Sequence, residues 1–367
     1  MSESSPLTFI GMDVSRDKIA IAMLRPDEQV PLELTIPATD EAVRKQVRRW
    51  GDPGALRICY EAGPTGYELQ RQLAGLGVDC IVVAPSLIPK RPGHKVKTDR
   101  RDARSLCGLL HAGELTAVRV PDAAEEVVRD LIRSRADLTE DILRSRHRLS
   151  KLLLRHGRVY REGSTWTARH LAWIRAQRFA VTGLERLVAH HLAILESRLA
   201  QRAELDIEIS EIARSERYAA AVARLACLRG IAELSALTLL VEVGDFRRFA
   251  SAPAFMSFTG LVASERSSGE RRRQGAITKT GNAHLRRILV EAAWHARRQP
   301  NFGPTFQRRV AGQDAAVVRY VSAAQQRLHR RYWRMVQRNK PTQVATVATA
   351  RELAGFVWGL MSERIAS

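Results

Sequence analysis

The chain has 367 residues, of which 59 are Lys or Arg and 39 are Asp or Glu, so its formal net charge is +20. With 45% hydrophobic residues, it has the composition of a folded protein and not of a disordered tail. So large an excess of positive charge argues against an ordinary metabolic enzyme. It indicates a partner that carries many phosphates.

The four cysteines, Cys59, Cys80, Cys107 and Cys227, lie far apart and form no CxxC pair. This spacing argues against a zinc ribbon and a disulfide scaffold, and it fits a reducing cytoplasm. The first residues lack the pattern of a signal peptide, and no apolar run is long enough to cross a bilayer. We therefore expect a cytoplasmic protein that is associated with the nucleoid.

Residues 1–120 predict an α/β domain. Apolar or alternating runs at 9–14, 19–24 and 32–36 predict an antiparallel meander of three strands. The pattern then predicts a helix at 40–50, a strand at 56–60, a helix at 65–76 and a strand at 80–84. This is the order of elements in a ribonuclease-H-like (RuvC-like) domain, although other α/β domains share parts of it.

The apolar pattern changes at residue 121. Between 121 and 217, leucines and isoleucines recur three, four and seven positions apart among charged residues. This predicts two long amphipathic helices in a coiled coil, either as an intramolecular hairpin or as a dimer seam. Residues 218–310 predict a further helical domain with helices at 233–243 and 282–298 around a basic loop, and residues 311–367 predict a basic helical tail.

Four carboxylates in the first domain form a candidate metal site. Asp13 lies inside the first apolar strand, where a charge needs a partner, and Glu61 follows the fourth strand. Asp99 and Asp102 are three residues apart, on one face of a helix that Thr98 would cap. Clustered carboxylates suit Mg²⁺, and two such ions can promote phosphodiester chemistry. Taken singly, Asp13 is equally well explained as a turn residue and the Asp pair as ion-pair partners of nearby arginines, and Glu61 is better explained as a solvated loop carboxylate. The four together, in this order on these elements, favour a metal site.

Basic residues accompany both this site and the loop of the third region. They are Lys95, Lys97, Arg100 and Arg101 beside the Asp pair, and Arg271, Arg272, Arg273 and Lys279 beside Ser268. We interpret them as contacts to nucleic-acid phosphates, with a solvated charged surface as the alternative. Cations around a serine can hold a phosphate and stabilise a developing oxyanion, whereas a serine before a glycine alone indicates only a polar turn.

Four motifs carry a family resemblance: IGMDVS at 10–15, YEAGPTG at 60–66, KTDRRDA at 97–103 and GAITKTGNAHLRR at 275–287. In this order they resemble the insertion-sequence transposases of the IS110 type, which are relatives of the Piv DNA invertase. The resemblance implies a RuvC-like domain whose DEDD metal site falls on Asp13, Glu61, Asp99 and Asp102. It also implies that a serine nucleophile falls on Ser268, with its neighbour Ser267 as the alternative.

The resemblance further implies a Mg²⁺-dependent recombinase that cuts and rejoins donor and target DNA through a covalent phosphoserine link. Such an enzyme would be guided by a structured non-coding bridge RNA and would assemble as dimers or tetramers. Two other functions stay open: a RuvC-like endonuclease that hydrolyses DNA, and a non-enzymatic nucleic-acid-binding protein derived from a transposase. A covalent protein–DNA adduct that requires Ser268 would separate recombination from hydrolysis.

Overall fold

The structure, a computed structural model, describes residues 6–89, 98–268 and 271–364. The chain divides into two units, residues 1–120 and residues 121–367. Each unit has its own hydrophobic core.

The first unit is built on a mixed five-stranded sheet. Its strands are β1 (Thr8–Val14), β2 (Lys18–Leu24), β3 (Leu32–Pro37), β4 (Leu56–Glu61) and β5 (Asp79–Val83), and its helices are α1 (Asp40–Trp50), α2 (Glu68–Gly75) and α3 (Asp99–His111). The strand order is β3-β2-β1-β4-β5, with β1 antiparallel to β2 and parallel to β4. The first strand is therefore central, and the arrangement fits a ribonuclease-H-like fold, as the order of predicted elements indicated.

Alternation along the central strands sends side chains into two different layers. On one face, Met12 and Tyr60 are fully buried and belong to the same core cluster as Val43 of α1 and Leu73 of α2. On the other face, the sheet packs against α3, whose Ala103 and Cys107 are buried beside small residues of β2. One face of the sheet thus carries a large apolar core with α1 and α2, and the other face packs closely against α3.

The second unit is mainly helical. Its described helices are α4 (Ala123–Arg155), α5 (Ala168–Arg175), α6 (Thr182–Ala213), α7 (Ala219–Ala226), α8 (Glu233–Val243), α9 (Ala252–Phe258), α10 (Ala283–Ala293), α11 (Pro304–Val310), α12 (Ala315–Gln337) and α13 (Thr342–Met361). Its strands are β6 (Ala263–Ser268) and β7 (Arg271–Ile277), which pair as an antiparallel hairpin. No helix within the described residues is long and apolar enough to cross a membrane.

The long helices α4 and α6 pack on each other within one chain. Buried Leu149 and Leu152 of α4 share a core cluster with Val188, Leu192 and Leu195 of α6. This is the geometry of the intramolecular alternative, with α5 lying in the connection between the two helices. A coiled coil at a dimer seam stays a prediction.

Helices α7 to α13 form one continuous core. Leu225, Leu237, Leu285 and Leu353 come from four of these helices and belong to the same buried cluster. Residues from both sides of position 310 therefore pack together, and the predicted division of residues 121–367 into three regions stays a prediction.

All four cysteines are buried and free. Burial raises the pKa of Cys80 to about 12. It also raises the pKa of Cys59, Cys107 and Cys227. Because the thiolate is the reactive form, these thiols are poorly reactive at neutral pH.

Candidate active site

The two strand carboxylates lie side by side at one end of the sheet. Met12 of β1 is paired with Tyr60 of β4 in a parallel register, so the next residues along, Asp13 and Glu61, are neighbours. Met12 and Tyr60 point into the large core shared with α1 and α2. Because side chains alternate along a strand, Asp13 and Glu61 point to the opposite face. That face is the one covered by α3.

Helix α3 brings the other two carboxylates to the same end. The Cys107 thiol donates a hydrogen bond to the Phe9 carbonyl oxygen at 3.3 Å, and the next turn towards the N-terminus packs against Gly11. The helix therefore runs antiparallel to β1, and its first turn, with Asp99 and Asp102, lies towards the Asp13 end. All four residues predicted for the metal site thus share one face and one end of the sheet.

The first turn of α3 suits acidic residues. Thr98 caps the helix, since its hydroxyl oxygen accepts a hydrogen bond from the Arg101 backbone N–H at 3.4 Å. Carboxylates in the first helical turn are stabilised by the helix dipole. Asp99 also forms an ion pair with Lys18 at the start of β2, with the Lys18 Nζ atom 2.7 Å from the Asp99 Oδ2 atom.

Gly11 allows α3 to approach the sheet this closely. A Cβ atom at position 11 would collide with the Ala103 carbonyl oxygen and the Cys107 backbone nitrogen. We expect Gly11→Ala to lower the free energy of unfolding by about 1–3 kcal/mol, because backbone atoms of α3 would have to move. Chemical denaturation measures this change.

Gly108 of the same helix provides the matched control. A Cβ atom there would meet nothing within 4 Å, and the residue lies inside α3. Gly108→Ala should therefore raise stability by about 0.5–1 kcal/mol through helix propensity. Equal effects of the two substitutions would contradict the close packing as the reason for Gly11.

The donor set fits a hard divalent cation, because four carboxylates supply only oxygen ligands. Among the described residues, however, no group of three or more His, Cys, Asp or Glu side chains is arranged so that it could hold one ion. The carboxylates are thus gathered at one end of the sheet without forming an assembled ligand set. Like charges repel, and the ion pair of Asp99 with Lys18 shows how part of this charge is balanced.

The predicted basic residues around α3 are only partly described. Arg100 and Arg101 are exposed in the first turn of the helix, next to the Asp pair. Lys95 and Lys97 lie outside the described residues. The neighbouring Arg104 reaches across to β3, where its Nε atom donates to the Glu33 carboxylate at 2.6 Å.

The predicted basic loop of the third region is a β-hairpin. Ser268 of β6 is opposite Arg271 of β7, and Ser267 is opposite Arg272. The side chains of these four residues lie outside the described part of the structure. Arg273 on β7 and Lys279 beyond it are described and exposed. The strand that pairs with the predicted serine nucleophile therefore carries several arginines.

Two glycine turns interlock at the base of this hairpin. Gly260 and Gly281 both have positive φ, and a Cβ atom on either would collide with a carbonyl oxygen of the other turn. Arg286 of α10 joins the turns, since its Nη1 atom donates to the Thr259 and Thr280 carbonyl oxygens, each at 3.2 Å. Lys279 has a φ of 56°, a left-handed conformation that is uncommon for a residue with a side chain. The hairpin therefore starts from a tightly constrained base.

A buried carboxylate supports the same base. Glu242 of α8 accepts hydrogen bonds from the Nε and Nη2 atoms of Arg133 at 2.8 and 2.9 Å, and from the Asn282 side-chain amide at 2.5 Å. Asn282 in turn caps α10 by accepting from the backbone N–H of His284 at 2.9 Å. Sequence reasoning missed Glu242, although a glutamate inside the apolar run of 234–243 was a signal that it is paired.

Burial alone would raise the pKa of Glu242. The hydrogen bonds and charge of Arg133, together with the Asn282 amide, outweigh that effect and lower the pKa of Glu242 below its ordinary value. The carboxylate therefore remains ionised inside the core. It ties the long helix α4 to the segment that follows the hairpin.

The turn around Gly230 is a packed connection between α7 and α8. Gly230 has a φ of 90°, and a Cβ atom there would lie 2.5 Å from the Ala292 carbonyl oxygen of α10. Ile231 beside it is buried. These contacts make the turn a tight helix-to-helix connection.

The strand order and the acidic residues at one end of the sheet fit the class of ribonuclease-H-like enzymes that process nucleic acid. The sequence model of the Transposase IS116/IS110/IS902 family matches residues 222–310, and a DEDD transposase model of the IS110 type matches residues 10–157. The chain belongs to this family of insertion-sequence transposases. It is a DNA transposase, as its motifs predicted.

Relatives that match over most of their length are also named transposases. The y4qE protein of Sinorhizobium fredii, a transposase by its provisional name, is 40% identical over 97% of this chain and 88% of its own length. The transposase for insertion sequence element IS1533 of Leptospira borgpetersenii is 32% identical over 90% of this chain and 97% of its own length. The transposase for element IS1328 of Yersinia enterocolitica is 24% identical over 80% of this chain and 84% of its own length.

Proposed function

We propose that this transposase cuts and rejoins DNA with the carboxylates of Asp13, Glu61, Asp99 and Asp102 as a DEDD metal site and with Ser268 as the nucleophile. The observation that supports the carboxylate set most directly is its placement: two residues lie at the same end of neighbouring strands, and two lie in the first turn of the helix that covers that face. A DEDD transposase family implies the use of a divalent metal, and we propose Mg²⁺. When bound, the ion would supply Lewis-acid stabilisation of negative charge on the phosphate.

The residues of the chain have distinct roles in this proposal. The Ser268 hydroxyl oxygen attacks the phosphorus and loses its proton, while the ester bond to one strand breaks and the departing hydroxyl takes up a proton. One phosphodiester replaces another, so the serine ester conserves the bond energy for rejoining. Arg271, Arg272, Arg273 and Lys279 would hold the phosphate beside the serine, and Arg100, Arg101, Lys95 and Lys97 would position DNA beside the carboxylates.

Two further parts of the proposal rest on the family resemblance. We propose that a structured non-coding RNA guides the enzyme to donor and target DNA, and that the enzyme acts as a dimer or tetramer. Sequencing the RNA that copurifies with the protein, and adding that RNA to a recombination assay with two plasmids, tests the guide. A preparation that recombines both plasmids without RNA would overturn it.

The serine is tested by trapping its ester with DNA. Wild-type protein and labelled DNA should give a covalent adduct on a denaturing gel, and Ser268→Ala should abolish that adduct because alanine has no hydroxyl that can form the ester. Ser267→Ala is the matched control and should retain the adduct. The reverse outcome assigns the nucleophile to Ser267, whereas cleavage without any adduct favours hydrolysis.

A further inference from the structure

A cluster of arginines surrounds His295 in the second unit, on elements that carry neither the DEDD carboxylates nor the serine hairpin. We call this the arginine cluster; its members are Arg229, Arg297, Arg298 and Arg309. Arg229 donates through its Nη1 atom to the Arg298 carbonyl oxygen at 3.2 Å, and the Cys227 thiol donates to the Arg309 carbonyl oxygen at 3.2 Å. Three separate segments of the chain, namely the α7–α8 turn, residues 295–298 and α11, thus meet here.

The electrostatic environment of the cluster is strongly positive. The pKa of His295 is lowered first by burial and then by the positive charges of the four arginines. The pKa of Arg229 is lowered by burial and by the charges of Arg298 and Arg309. Within the described residues, no carboxylate lies within ion-pair distance of any arginine of the cluster.

Other arginines of the second unit do form ion pairs with carboxylates. On the neighbouring α12, Arg327 and Arg331 both pair with the carboxylate of Glu352. Elsewhere, Arg217 pairs with Asp122 and Arg214 pairs with Glu233. By contrast, Arg297, Arg298 and Arg309 are exposed and close to other cations. Repulsion among them would be relieved by an anionic partner.

An exposed aromatic ring lies beside the cluster. The Trp333 Nε1 atom donates to the Arg297 carbonyl oxygen at 2.9 Å, and 41% of the Trp333 side chain is exposed. His329, one turn earlier on α12, contacts the Ala296 carbonyl oxygen at 2.8 Å. An exposed aromatic ring among cations can stack on an unpaired base of a nucleic acid.

We propose that the arginine cluster is a further surface that binds the DNA backbone, formed by residues other than those of the serine hairpin and the DEDD carboxylates. The partner is DNA because the chain is a DNA transposase and because a row of phosphates complements four unneutralised cations. Guanidinium groups that contact phosphates position the duplex without reading its sequence. The inference rests on the transposase identity of the chain and is independent of the proposed serine chemistry.

The test uses the full-length chain with three exposed arginines replaced: Arg297→Gln, Arg298→Gln and Arg309→Gln. Its affinity for a short duplex DNA and for RNA of the same length is measured over a range of salt concentrations, with Asp13→Asn added to prevent cleavage. We expect the DNA affinity to fall roughly 10- to 100-fold and the slope of log affinity against log salt to fall by about 2–3, because three phosphate contacts are lost.

Three ion-paired arginines provide the control: Arg144→Gln, Arg175→Gln and Arg214→Gln remove the same charge from residues that pair with Asp141, Glu196 and Glu233. This variant should bind DNA more strongly and with a steeper salt slope than the cluster variant. Replacing the three cluster arginines with lysine should preserve the slope, because the slope depends on the number of phosphates that positive charges neutralise.

Three results would overturn the proposal. These are an unchanged salt slope in the cluster variant, an equal loss in the control variant, and a loss confined to RNA. Thermal unfolding checks that each variant is folded. Should the triple variant unfold, each single substitution should still lower the slope by about 0.9. A failure of the serine proposal would leave these binding results unchanged, so the two can be told apart.

Discussion

Asp13→Asn should reduce DNA strand cleavage by roughly 100- to 1,000-fold, because it removes a carboxylate that would hold the metal ion whose positive charge stabilises the reacting phosphate. Asp13 is the next-to-last residue of the central strand β1 and lies beside Glu61, so the substitution removes one charge from the proposed metal site while keeping the shape of the side chain. DNA binding should stay within about twofold, since the proposed phosphate contacts are made by cations. Cleavage of a labelled duplex and a binding titration measure the two quantities.

Asp17 is the matched control for this experiment. It lies in the turn between β1 and β2 with 88% of its side chain exposed, and its carboxylate is 3.8 Å from the Arg16 guanidinium. Asp17→Asn should leave cleavage unchanged. Full cleavage by Asp13→Asn, or an equal loss in both variants, would show that Asp13 has no part in the reaction.

Glu242→Gln should strongly destabilise the second unit. It removes the carboxylate that accepts two hydrogen bonds from Arg133 and one from Asn282. We expect the free energy of unfolding to fall by about 2–3 kcal/mol, somewhat less than the roughly 3–5 kcal/mol for a fully buried pair, because Arg133 is partly exposed. Chemical denaturation at neutral pH measures the loss.

The effect of Glu242 should depend on pH. The folded protein holds the pKa of Glu242 below the ordinary value of 4.5, so its contribution to stability is fully present above that pH. It is lost as the pH falls through the lowered pKa of the folded state. The stability difference between wild type and Glu242→Gln should therefore shrink in acid, and a difference that grows there would contradict the ion pair.

An exposed glutamate serves as the control. Glu140 of α4 pairs with Arg144 at 3.6 Å, and 63% of its side chain is exposed. Glu140→Gln should change stability by less than about 0.5 kcal/mol at any pH, because surface ion pairs contribute little.

Local signals in the sequence predicted several elements accurately. Helix α1 follows a Thr39 cap and ends before Gly51, and α8 ends before Gly244, so both bounds agree with the predicted helices. Helix α2 begins at Glu68, three residues later than predicted, because the Gly63–Gly66 turn occupies the preceding positions. The long helical tail is two helices, since Pro341 lacks the N–H that a continuous helix needs.

The hairpin β6–β7 was not predicted, because its arginine-rich strands lack apolar alternation. Its base depends instead on contacts between Gly260 and Gly281, which are distant in sequence. The placement of Asp13 and Glu61 followed from strand order and alternation. The pairing of Glu242 with Arg133 did not, because 109 residues separate the two partners and no local pattern records their contact.

The deep burial of the native thiols has a practical consequence for following this protein in solution. A cysteine introduced at an exposed position of each unit, such as Arg16→Cys in the β1–β2 turn, would be open to a maleimide dye, whereas the native thiols are buried. Fluorophores attached in this way, one on each unit, would report the distance between the two halves of the protein as it engages DNA. The native cysteines could be left in place during such labelling.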